Sequence, residues 1–292
     1  MNITGTGIWS PELRYGEPDE IAEAAAELEA LGYSAIWIPD VGGDLFTALD
    51  RLLAATTAIT IASGVLNIWQ HSAEETATWW TALPEVHRGR VLLGVGISHG
   101  PIIGESWRRP VATVRAYLDA LDTSGVPVEA RCLAALGPKM LGLARDRSAG
   151  AHPYLATPEH TALARDILGP GPLLAPEQGI VLEADPERAR AIARSALGVY
   201  TSLPNFVNNW KRLGLTDDDV ATLSDRLVDA IVACGDVDAI AARVAAHRTA
   251  GADHVCIQVL KDGRGPMPRQ TWRSLASALT GPTFEESLDS TS

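Results

Sequence analysis

The sequence predicts an α/β protein, and within that class a (β/α)8 barrel. Three observations carry the prediction. Short β-branched apolar runs read as strands buried on both faces, stretches with helical spacing separate them, and glycine or proline stands at most of the junctions. Strand, helix, strand in that order demands parallel pairing. Eight such strands point to a closed barrel rather than an open sheet. A chain of 292 residues with 46% hydrophobic content can bury one domain of this size, which we place over residues 1–281.

Residues 3–9 form the first strand, with Gly5 and Gly7 inside it and Pro11 closing it. From Pro18, the spacing of Ile21, Ala24, Ala25, Leu28 and Leu31 is helical, Asp19 and Glu20 suit the first turn, and Gly32 stops the helix. Residues 33–38 are the second strand, ended by Pro39 and Asp40. A helix over 45–57 leads to a strand over 59–65. A helix over 72–87, opened by a Ser-Ala-Glu-Glu capping box, leads to a strand over 91–96. The pattern continues with a helix over 111–124, a strand over 129–135, a helix over 139–148, a short strand over 149–156 and a helix from Thr157 and Pro158. Residues 179–184 and 253–260 are strands seven and eight. The stretch 186–250 between them exceeds what one crossover needs, so extra helices are expected there, with 204–215 as part of a lid or subunit contact. The polar, acidic tail 282–292 reads as disordered.

Lys plus Arg is 24 and Asp plus Glu is 36, a formal net charge of −12, which argues against a nucleic-acid or anionic-membrane partner. An anionic coenzyme would need a local cationic pocket. Cys132, Cys234 and Cys256 are odd in number and lack a CxxC pair, so they read as reduced, mostly buried thiols of a cytoplasmic protein. No apolar run approaches the roughly 18 residues of a membrane span, and the N-terminus lacks a secretory pattern. No metal is expected, because residues 8–10 offer no H-x-H pair at the end of the first strand. Nor does the chain carry a G-x-S-x-G elbow or a G-x-G-x-x-G fingerprint.

Two stretches carry the chemistry. Ile59 to Val65 is a β-branched run in which Ser63 and Gly64 remove bulk at the end, as a flat ligand or a backbone bulge requires. One β-α unit later, Gly89-Arg90 is followed by the apolar Val91-Leu92-Leu93 and Gly94-Val95-Gly96. Together these resemble the bacterial luciferase-like monooxygenase superfamily. The Ser-Gly-Val-Leu-Asn ending is more similar to the branch that uses the deazaflavin coenzyme F420 than to the FMN branch. The strings His152-Pro153-Tyr154, Pro158-Glu159-His160-Thr161 and Gly251-Ala252-Asp253-His254-Val255 look like an actinobacterial-type subgroup of F420-dependent oxidoreductases.

The resemblance implies a luciferase-type barrel, usually a homodimer, acting on a small molecule. It puts a bulge, often with a non-prolyl cis peptide, at Ser63, Gly64 and Val65 to prop the ring. Asn67, Gly96 and Ser98 would meet the ring edge, and Ala135, Gly137, Pro138 and Lys139 the phosphate. On its own residues, 136–139 follows a strand and opens a helix, which stabilises an anion, although a plain turn reads the same way. Asp40, Trp9 and His99 are the candidates facing substrate. Asp40 also reads as a turn cap, and Trp9, Trp37 and Trp69 as ordinary core or rim aromatics that together suit a flat, partly apolar substrate. One departure matters. Several deazaflavin dehydrogenases carry Asp-His after the second strand, whereas Val41 follows Asp40 here. Proton transfer would then fall to Asp40 or to His99 or His152, or the reaction would run in the reducing direction. The expected function is hydride transfer between coenzyme F420 and a small organic substrate. An FMN-dependent monooxygenase and a non-catalytic flavin- or deazaflavin-binding paralogue are the alternatives.

Overall fold

The computed structural model describes residues 3–263 and 265–281, and the expected tail at 282–292 lies outside them. Eleven strands form one parallel system: β1 (Gly5–Trp9), β2 (Ala35–Ile38), β3 (Thr60–Ser63), β4 (Leu66–Asn67), β5 (Val91–Gly96), β6 (Arg131–Leu133), β7 (Gly150–Ala151), β8 (Leu173–Leu174), β9 (Glu177–Leu182), β10 (Ala233–Gly235) and β11 (His254–Val259). Their order is β10-β9-β11-β1-β2-β3-β5-β6-β7-β8, with β4 paired to β5, and the pairings of the described residues are parallel. This is a TIM-like α/β arrangement, with helices packed outside a strongly curved sheet.

The strand faces are apolar on both sides because both are covered. Ile36, Ile38, Leu49, Leu52 and Ile61 pack in the layer between sheet and helices, while Trp37, Ala62, Leu92, Cys132 and Cys256 fill the inner face. Register follows from this pattern, with Ile36 opposite Ile61 and Trp37 opposite Ala62. The Arg90 that precedes β5 has a structural explanation. Its buried guanidinium donates to the carbonyl oxygens of Leu53, Thr56 (2.8 Å) and Ile59 (3.3 Å) and to Thr56 Oγ1 (2.7 Å). It thereby clamps the end of the helix Leu45–Ala55 to the start of β3.

Several expected boundaries change. The helix over 72–87 divides into Ala73–Ala82 and Glu85–Arg88, because Pro84 cannot donate to the preceding turn. The strand over 59–65 stops at Ser63 and resumes at Leu66, the break falling on Gly64 and Val65. The strand expected over 149–156 shrinks to β7, and β10 has no counterpart in the sequence reading. Between β9 and β11 the chain forms helices Pro186–Leu197, Pro204–Arg212, Asp217–Thr222 and Asp225–Ile231, which pack around Trp210, Leu227 and Ile231 as a second apolar cluster, and Val237–Thr249, whose Ile240 and Val244 join the main core. Cys132 and Cys256 are buried, Cys234 is half-buried, and all three are free thiols.

Candidate active site

A cavity of about 1060 Å³ opens where the chain leaves the C-terminal ends of the strands. Trp9, Asp40, Gly64, Val65, Asn67, Gly96, Ser98, His99, Ala135, Gly137, Pro138 and Lys139 all line it. Ser63, the remaining candidate, does not. It is fully buried and its Oγ donates to Gly94 O at 2.9 Å, so it ties β3 to β5 instead of facing a ligand. Trp37 is also fully buried, stacked on His152 at 4.3 Å and 12°, and Trp69 is turned to donate to Ile97 O at 2.8 Å.

The floor is built by glycines. The Gly64–Val65 peptide is cis. Gly64 O accepts from Trp9 Nε1 at 2.9 Å, and a Cβ on Gly64 would stand 2.5 Å from that nitrogen. A Cβ on Gly94 would collide with the Ser63 carbonyl oxygen, and one on Gly96 with Val65 Cγ2. The Gly94-Val95-Gly96 motif therefore exists to let β5 pass beneath the interruption in the neighbouring strand.

Asp40 stands in one wall. Its Oδ2 accepts from Asn67 N at 2.9 Å and lies 3.4 Å from His71 Nε2, while Oδ1 is buried without a protein partner. His71 Nδ1 lies 3.4 Å from Glu75 Oε1. His71 itself is outside the cavity. It is not among the candidates named from sequence, although its i, i+4 spacing to Glu75 is visible there.

A cationic region occupies another part. The helix Pro138–Arg147 begins there with Gly137 as an N-cap that supplies no side-chain hydrogen bond. Lys139 lines the same wall, as does Arg212 from the helix Pro204–Arg212. Arg212 Nη2 donates to Asn209 Oδ1 at 3.1 Å, leaving Asn209 Nδ2 buried without a partner. An anionic group would be stabilised by the helix terminus and the two cations together. Arg212, Asn205 and Phe206 were not named as site residues from sequence, although they fall in the stretch 204–215 read as part of a lid or subunit contact.

The remaining wall is aromatic and buried. Trp9 and Tyr154 have centroids 5.4 Å apart, and Tyr154 Oη donates to Gln258 Oε1 at 2.6 Å and lies 3.1 Å from Tyr200 Oη. Burial depresses the pKa of His99, partly countered by its 2.9 Å bond to Asn205 Oδ1. His152 bonds Ala175 O at 2.7 Å through Nδ1, and burial depresses its pKa to about 4. Deeper, Glu177 accepts from Leu155 N at 2.9 Å, and burial raises its carboxyl to about 8, so it is mostly protonated near neutrality.

A glycine floor, a cation-lined helix terminus and a buried carboxylate now share one cavity with known relatives to compare. Residues 4–124 match the family described as Luciferase-like monooxygenase. Over 158 residues the chain is 28% identical to the 5,10-methylenetetrahydromethanopterin reductase of Methanolobus tindarius, covering 45% of this chain and 48% of that protein. That match spans about half the relative's length. Among solved structures, the coenzyme F420-dependent tetrahydromethanopterin reductase of Methanopyrus kandleri superposes with a TM-score of 0.74 at 17% identity, over 95% of this chain and 98% of the other. The oxygenating constituent of 3,6-diketocamphane monooxygenase from Pseudomonas putida, solved with FMN, gives 0.69 at 12% identity over 95% and 98%. At these identities the structural likeness establishes a luciferase-like fold, which two kinds of ring cofactor share.

Proposed function

We propose that the protein is an oxidoreductase that transfers a hydride between coenzyme F420 and a small organic substrate. The observation that carries this reading is the union, in one cavity, of a glycine-built floor under the Gly64–Val65 peptide and a cationic helix terminus at Gly137 and Lys139. The donor set fits the coenzyme: Gly64, Val65 and Gly96 line the cavity where a ring would rest, and Lys139, Arg212 and the helix terminus at Gly137 suit its phosphate. The F420-dependent relative of similar fold supports the same choice. The coenzyme supplies the hydride chemistry. The protein's contribution is orientation, exclusion of water by Trp9, Tyr154 and Phe206, and a carboxylate at Asp40 to hold or accept a proton.

The fold reading behind this site is a (β/α)8 barrel over residues 1–281. The segment 173–182 supports closure, since Ala175 N donates to Ala151 O (2.9 Å) on one side and Asp253 N to Leu174 O (3.0 Å) on the other. Counting β3 with β4 and β8 with β9 as single strands, and leaving β10 as an added edge strand on β9, gives eight, and the helices from Pro186 to Thr249 become an insertion that roofs the cavity. A homodimer in the cytoplasm belongs to the same reading by resemblance.

An FMN-using monooxygenase is the second reading, favoured by the FMN-bound neighbour. A screen decides between them: reduced coenzyme F420 is incubated anaerobically with carbonyl, imine and activated alkene compounds, and recovery of the oxidised ring is followed by absorbance. Enzyme-dependent recovery that falls at least tenfold in Asp40→Ala supports the proposal. Oxygen uptake with reduced FMN, and no reaction with reduced F420, transfers the protein to the monooxygenases. Coenzyme binding with no turnover in either assay identifies a non-catalytic paralogue.

A further inference from the structure

Asp40 is buried, lines the cavity and has one oxygen committed and one free. Oδ2 is held by the Asn67 amide at 2.9 Å and lies 3.4 Å from His71 Nε2 without a hydrogen bond between them, whereas Oδ1 has no partner among the described residues. A buried carboxylate oxygen without a donor is costly, and in a ligand cavity that cost is relieved by whatever binds there. The surrounding wall is mainly apolar, with Trp9, Val65, Ile97 and Ile102 among its residues, so few other groups compete for a donor. Behind Asp40, His71 is fixed on two further sides. Glu75, half exposed on the helix Ala73–Ala82, lies 3.4 Å from Nδ1, and the Phe46 ring packs edge-on at 4.9 Å. Tyr117, whose hydroxyl pairs with Thr76 Oγ1 at 2.8 Å, is the other titratable group here, and burial pushes it up to about 12, so it stays neutral.

Resting on the redox reading above, we propose that His71 is a positioning residue. Together with Glu75 it holds Asp40 so that Oδ1 receives a substrate with an apolar body and one O–H or N–H group. The imidazole stands between two carboxylates, with Nε2 toward Asp40 and Nδ1 toward Glu75, and so braces the first against the second. This also accounts for the valine at position 41, because the imidazole that braces Asp40 comes from the segment after β4 rather than from the next residue in the chain.

The test needs no knowledge of the natural substrate. 2-Naphthol, which has the donor, and 2-methoxynaphthalene, which lacks it, are titrated by fluorescence into the full chain, with and without saturating coenzyme F420. The wild type should bind naphthol at least tenfold more tightly than the ether. His71→Leu should abolish that preference, and His71→Gln, whose amide can donate to Asp40, should restore most of it. Equal binding of the two probes by the wild type overturns the proposal, as does an undiminished preference in His71→Leu. A His71→Gln variant as impaired as His71→Leu overturns it too, since packing alone would then explain the loss. Should His71→Leu fail to fold, Glu75→Gln decides, with a severalfold weaker preference in support and an unchanged one against. Naphthol selectivity without F420 binding leaves the proposal standing and removes the redox reading. F420 binding without selectivity does the reverse.

Discussion

Gly94 shows how a single absent methyl group shapes the site. Its missing Cβ is the space taken by the Ser63 carbonyl oxygen, which is backbone and cannot rotate away. Gly94→Ala should therefore destabilise the protein by about 1 to 3 kcal/mol, measured by denaturant unfolding. The Gly96 counterpart meets side chains, Val65 Cγ2 and, at 3.4 Å, Ala134 Cβ, so Gly96→Ala should displace Val65, weakening coenzyme binding and costing less stability than Gly94→Ala. At Glu177 the folded-state pKa of about 8 lies above the 4.5 of an ordinary glutamate. The unfolded chain thus binds fewer protons than the folded one between those values, and stability contributed by this group is lost as pH rises from 4.5 to 8. Glu177→Gln keeps an acceptor for Leu155 N without the charge. Relative to wild type it should gain on the order of 1 to 3 kcal/mol on going from pH 5 to pH 8. Matched unfolding curves showing a constant difference across that range contradict this.

At the scale of elements, what could be read from sequence was whatever local chemistry decides. Helix starts at Asp44 and Ser72 were legible because their side chains cap the Thr47 and Glu75 amides. The β5 bounds were legible because a glycine-flanked apolar run permits little else. The split at Pro84 and the brevity of β7 were not read correctly, since each depends on how neighbouring backbone is paired in space. The site divides the same way. Gly64, Asn67 and Lys139 sit beside strand ends and could be nominated, whereas Arg212 reaches the cavity from a helix far along the chain. Ser63 was nominated by proximity, yet a strand alternates its side chains and turns this one away from the cavity. Arg90 links elements more than a ligand site. Arg90→Leu leaves the buried carbonyls of Leu53, Thr56 and Ile59 without donors. It should lower stability by about 2 to 4 kcal/mol, read as a fall in Tm, with coenzyme affinity retained.

The whole molecule carries its own pH signature. His152, His247 and His254 are all buried, and burial depresses them to about 4, 3 and 3. Each is neutral in the folded protein at pH 6, while the unfolded chain takes up protons below the usual 6.5. Stability from these residues is present above pH 6.5 and is lost as pH falls toward 4. Thermal unfolding should therefore show Tm dropping steeply between pH 6.5 and 4, and a Tm flat over that interval contradicts their burial as neutral groups. The acidic surface, with a net charge of −12, places a further demand on coenzyme binding: the global field repels an anion, so affinity rests on the local cluster of Lys139, Arg212 and the helix terminus.

That cluster and the glycine floor together make coenzyme choice the most direct measurement. Apo-protein is titrated with coenzyme F420 and, separately, with FMN, and binding is followed by ring fluorescence. The account predicts micromolar affinity for F420, at least tenfold weaker affinity for FMN, and a loss of F420 binding in Gly64→Trp. A preference for FMN, or binding of neither ring, contradicts it.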